Sequence, residues 1–162
     1  KTDDRERSGP ARESALAEYR EREAANVAWV RGTFAEARAT RAPGVALFFQ
    51  AEPFDAAEKD GRESGFTEFL GAVEQEAKHF ERPVLLVHAD DHRYRLEPKV
   101  RFPSGEKHDN VTRLGVFGAG DIHAVQVTVD PTSKAVFLAG PLLVPGNPLP
   151  VLPRSKKEAG KK

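Results

Sequence analysis

Val84-Leu85-Leu86-Val87-His88-Ala89-Asp90-Asp91-His92 is the stretch on which the fold turns. Its apolar half follows Arg82-Pro83 and is the length of a short strand buried on both faces. It then breaks directly into polar residues. The C-terminal end of a buried strand is where α/β folds gather their chemistry. Upstream, Val45-Ala46-Leu47-Phe48-Phe49 repeats the pattern: it follows Ala42-Pro43-Gly44 and stops at Gln50-Ala51-Glu52-Pro53.

Each strand is preceded by a helical pattern. From Pro10, which suits a first helical turn, to about Arg38, the residues Leu16, Tyr19, Glu23, Val27, Val30 and Phe34 recur at steps of three and four. Glu23 is the one polar member of that stripe. Arg20, Glu21 and Arg22 belong to a wet face. Residues 54–64 are a polar loop, and Ser64 can cap a second helix carrying Phe66, Phe69, Leu70, Val73, Ala77 and Phe80. The order helix, strand, helix, strand predicts parallel strands joined by crossover helices.

The rest of the chain changes character. Residues 98–112 read as a loop rich in Pro, Gly and charge, followed by Leu114–Phe117 and by an alternating segment from Ile122 to Val129. The turn signal Asp130-Pro131-Thr132-Ser133-Lys134 leads into Ala135–Leu138, so antiparallel strands are expected to extend the sheet. The expected class is α/β, with mixed β-sheet flanked by helices. Residues 1–9 are expected to be a disordered segment, 10–140 the folded unit, and 141–162 a disordered Pro/Lys-rich tail with a mildly basic end.

Composition excludes several functions. With 25 basic and 25 acidic residues the formal net charge is zero, so no global field draws the chain to nucleic acid or an anionic membrane. No cysteine is present, which removes disulfides, thiolate zinc sites and a cysteine nucleophile. No apolar run approaches the roughly 18–20 residues of a membrane span, and the charged start does not resemble a signal peptide. The chain contains no methionine, even at its start, which leads to the expectation that it was processed, trimmed or cut from a longer reading frame. P-loop, Gly-x-Ser-x-Gly and CxxC patterns are absent. Asn110-Val111-Thr112 fits a glycosylation acceptor only in a secretory route.

The densest constellation is His88-x-Asp90-x-His92. In extended backbone these three side chains point the same way, and two imidazoles with a carboxylate suit zinc, manganese or iron. If the segment turns, only Asp90 and His92 need converge; the plain alternative is a solvated loop. Gln50 ends the neighbouring strand, so both strands can deliver groups to one rim. His123, in Gly120-Asp121-Ile122-His123, can approach that rim or serve the structure.

The segment from Val84 to Arg95 resembles the last metal motif of bacterial calcineurin-like metallophosphoesterases. Other blocks agree in order: Ala25-Asn26-Val27-Ala28-Trp29-Val30, Phe49-Gln50-Ala51-Glu52-Pro53, Asn110-Val111-Thr112-Arg113, and Phe117-Gly118 through Asp121-Ile122-His123 to Asp130-Pro131. The likeness covers roughly residues 18–140. It implies the C-terminal half of an α/β/β/α sandwich with a two-metal site at the strand ends. Ala89-Asp90-Asp91-His92 stands where that family has Gly-His-x-His, and Gln50 stands where it has an isolated histidine. The resemblance therefore implies Gln50, Asp90 and His92 as metal ligands, and His88 and His123 as residues at the substrate rim.

The family's Asp-x-His, Gly-Asp-x-x-Asp and Gly-Asn-His motifs have no counterparts in their places. Catalytic residues are accordingly expected outside this chain, in an N-terminal half. That half and a phosphate-ester small molecule are the implied partners, with no nucleic acid and no membrane span. Two divalent cations (Mn, Fe, Zn or similar) are the implied cofactors. In the whole enzyme they would activate a water for in-line attack on phosphorus. The departures at Gln50 and Asp90 suggest the alternative of a non-catalytic binding domain. The compartment stays open; such enzymes are often exported.

Overall fold

In the computed structural model, which describes residues 9–54 and 64–148, the two apolar runs are neighbouring parallel strands. β1 (Val45–Phe48) pairs with β2 (Val84–His88), Val45 lying opposite Val84 and Phe48 opposite Val87. On the other side of β2 a further parallel partner, β4 (Val111–Gly115), is bordered by the antiparallel β3 (Arg95–Pro98). The sheet order is β1-β2-β4-β3. All five residues of β2 are buried. That suits a central strand covered on both faces, which is why its sequence does not alternate.

One face is covered by α1 (Pro10–Ala39) and α2 (Thr67–Phe80). Val30 and Phe34 of α1 and Leu70, Val73 and Phe80 of α2 pack on Val45, Leu47, Val84, Leu86 and Val111. Burying each large apolar side chain contributes about 1.5–3 kcal/mol. Phe34 and Phe80 meet edge to face at 5.5 Å.

Glu23, the polar member of the α1 stripe, is buried because it serves the other helix. Its Oε1 accepts the N–H of Phe69 at 2.9 Å, in the first turn of α2, where backbone donors have no partner within the helix. Ser64, expected as the cap, instead accepts the N–H of Phe66 at 3.2 Å, just ahead of α2. At the other end of α2, the Asn110 side-chain amide donates to the carbonyls of Ala77 (2.9 Å) and Arg82 (3.0 Å). That amide is thus committed to the fold.

β5 (Ala124–Val129) and β6 (Phe137–Leu142) pair antiparallel but form a sheet of their own. The expectation that they extend the first sheet is corrected. β3 already occupies the outer side of β4, and the alternation of β5 gives it an apolar face to stack. Val125, Val127, Phe137 and Ala139 cover Leu85, Val87 and Leu114 on the face away from the helices. The result is a mixed α/β arrangement: helices, a mixed sheet, and an antiparallel pair.

β6 runs to Leu142, so the tail does not begin at residue 141 as expected. The N-terminal segment up to residue 8, most of the 54–64 loop and the tail from residue 149 lie outside the described residues. Among the described residues no helix is long and apolar enough to cross a membrane.

Candidate metal centre and rim

The ends of β1 and β2 meet, as parallel pairing requires. The carbonyl of Gln50 accepts the N–H of Asp90 at 3.0 Å and that of Ala89 at 3.4 Å, joining the two following loops. Gln50, Asp90 and His92 are all exposed. Gln50 lines a cleft of about 240 Å³ with Trp29, Phe48, Phe66 and Phe69. His92 has φ 55°, in the left-handed region, and its ring lies so close to Gly118 that a Cβ there would collide with it.

The two histidines assigned to the rim are both engaged in contacts within the fold. His88 is only 1% exposed, because it occupies the last position of the fully buried β2. His123 Nδ1 accepts the N–H of Val144 at 3.1 Å, and its Nε2 lies 2.8 Å from the Pro148 carbonyl, to which it donates. Its ring holds residues 144–148 against the second sheet.

Beneath the rim, on the helix side of the sheet, lies a buried polar cluster not foreseen as a unit. Glu52 Oε1 accepts the N–H of Phe54 at 2.8 Å, while Oε2 pairs with Arg113 Nη2 and lies 3.1 Å from His88 Nε2. Arg113 Nε donates to His88 Nε2 at 2.9 Å, and its Nη1 reaches Glu97 at 3.3 Å. The Phe54 ring lies 4.9 Å from the guanidinium carbon, and Phe49 stacks on His88 at 6.1 Å. Asp91 Oδ2 accepts from Arg95 at 3.2 Å. Asp91 Oδ1 and His88 Nδ1 are buried, 3.9 Å apart, and neither has a hydrogen-bond partner among the described residues.

Burial pushes the His88 imidazole below its ordinary pKa, and the charges of Arg113 and Arg95 push the same way against the opposing carboxylates Glu52 and Asp91. Its neutral form is therefore favoured. Glu23, beside the cleft, moves in the opposite direction: burial raises its pKa, and the Phe69 N–H only partly offsets this.

Glu52, His88 and Asp91 each bring a ligand atom within 4.8 Å of the others, so by residue type and spacing this group could hold a metal ion. Among the described His, Asp and Glu side chains it is the one group of three that converges; Asp90 and His92 are not part of it. A two-metal centre needs more ligands than this group supplies.

The convergent group lies on the two loops singled out from sequence; it shares His88 with the residues named there, and has Glu52 and Asp91 in place of Gln50, Asp90 and His92. Glu52 lies two residues beyond Gln50, and Asp91 lies beside Asp90. Arg113 was quoted only as part of a family block. Its signal is positional: it shares the inward face of β4 with Val111, where an apolar residue would ordinarily stand.

Fold and site together define a mixed α/β protein with a buried ionic cluster beneath paired strand ends. No family model, no curated protein and no solved structure matches the chain.

Proposed function

We propose that this chain is the C-terminal half of a metal-dependent phosphoesterase of the calcineurin-like type. In this reading its rim contributes Gln50, Asp90 and His92 to a metal site whose other ligands and catalytic residues belong to an N-terminal half. The observation that carries the reading is the hydrogen-bonded junction of the two loops, Gln50 carbonyl to Asp90 N–H, at the C-terminal ends of parallel β1 and β2. Open α/β sheets place ligands there. The stacking of an antiparallel pair on the far face of the mixed sheet suits half of an α/β/β/α sandwich.

The chain's own part is positional. The Gln50 carbonyl, bonded to Ala89 and Asp90, sets the spacing of the two loops, while Arg113 ties Glu52 and His88 together from below. The substrate class is a phosphate ester.

A non-catalytic, degenerate domain is the second reading, favoured by the exposed positions of Gln50, Asp90 and His92 outside the one ligand group that converges among the described residues. The coding sequence upstream of Lys1 separates the two. Asp-x-His and Gly-Asp-x-x-Asp motifs there, with manganese-dependent hydrolysis of an aryl phosphate by the extended protein, are the expected result. An upstream segment without them, or turnover by the 162-residue chain alone, contradicts the proposal.

A further inference from the structure

We infer that the resident cation of the Glu52–His88–Asp91 group is the guanidinium of Arg113, which excludes a divalent metal from that group and positions both rim loops. The inference does not depend on the proposed function, since it concerns the buried cluster rather than the exposed rim.

Glu52 has committed Oε1 to the Phe54 N–H and Oε2 to Arg113. The lone pair of His88 Nε2 accepts the Nε–H of Arg113 at 2.9 Å. A neutral imidazole that accepts at Nε2 carries its proton on Nδ1. His88 Nδ1 is then a donor and cannot bind a cation. It faces Asp91 Oδ1, an acceptor, at 3.9 Å, so the two orphaned atoms are a complementary pair about an ångström too far apart rather than two empty ligand positions.

The guanidinium also suits the place better than an ion would. Arg113 is 3% exposed and sends Nε, Nη1 and Nη2 to His88, Glu97 and Glu52, with Phe54 beside it. Its planar fork of donors is never deprotonated in a protein. A metal entering between Glu52 and His88 would have to leave that charge buried and unpaired, which is strongly unfavourable.

The same bonds explain the positioning. Glu52 lies on the loop after β1, and His88 at the end of β2, beside the loop bearing Asp90 and Asp91. One side chain from β4 ties both to the sheet.

The test is zinc chloride titrated calorimetrically into the purified chain, with Arg113→Met alongside. Wild type is expected to show no binding that His88→Gln removes. Arg113→Met is expected to take up one zinc at least tenfold more tightly than wild type, and to lose it when His88→Gln is added. Amide exchange at Ala89 and Asp90 reports the positioning role. It should quicken at least tenfold in Arg113→Met and slow again when zinc fills the vacated place, a rescue that a purely space-filling role would not give. One equivalent of zinc bound by wild type and lost with His88→Gln overturns the inference. So does an Arg113→Met protein whose zinc affinity or loop exchange matches wild type. Should Arg113→Met fail to fold, the wild-type titration decides alone.

Discussion

Arg113 Nε donates to His88 Nε2 across 2.9 Å, from the inward face of β4 to the last residue of β2. The bond joins a permanent charge to a titratable ring, both buried. It makes the imidazole an acceptor, and protonation of the ring would abolish it.

The pH dependence of stability follows. The folded-state pKa of His88 lies below its ordinary value of 6.5, so the unfolded chain binds the extra proton first as pH falls. The contribution is fully present above pH 6.5 and is lost as pH drops through the folded-state value, at up to about 1.4 kcal/mol per pH unit. Urea unfolding at a series of pH values should show this slope below 6.5, and His88→Gln should flatten it. An equal slope in both proteins would contradict the assignment.

Glu23 gives the opposite sign. Its folded-state pKa is raised above 4.5, so its contribution is present below that value and is lost as pH rises through the folded-state value. Glu23→Gln keeps an acceptor for the Phe69 N–H and should remove this dependence. Glu23→Ala leaves that donor without its partner and should cost about 1–3 kcal/mol. Unfolding curves of both variants check the claim.

Asn110 bonds two carbonyls at the end of α2, so Asn110→Ala should lower stability by about 1–2 kcal/mol. Asn110→Asp, which replaces the donor by an acceptor facing those carbonyls, should cost more. Thermal unfolding of the pair distinguishes donation from mere packing.

His92 keeps a left-handed backbone that glycine adopts without penalty. His92→Gly should therefore be neutral or stabilising by up to about 1 kcal/mol. In a protein extended to include the proposed N-terminal half, the same change should weaken metal binding if His92 is a ligand as proposed. A strongly destabilised His92→Gly would assign the residue to structure instead.

The parallel pair was legible because Val45–Phe49 and Val84–Val87 are uninterrupted apolar runs between helical patterns, which leaves few arrangements open. The separate β5–β6 sheet was not. Alternation marks a strand with one covered face, but the same pattern serves a strand that extends a sheet and one that stacks on it. Only the presence of β3 beside β4 decides. At the site, spacing along the chain pointed to Asp90 and His92. The turn after His88 instead brings Asp91 near the imidazole and leaves its neighbours in solvent. Arg113 and Glu52, 61 positions apart, meet only because β4 and the loop after β1 flank β2, and no local spacing carries that information.

The most direct measurement is nitrogen-15 NMR of the His88 imidazole at neutral pH, with long-range correlation to its ring protons. The account predicts a neutral ring protonated on Nδ1, whose Nε2 resonance shifts when Arg113 is changed to Met. A ring protonated on Nε2, or one charged at both nitrogens, would contradict it.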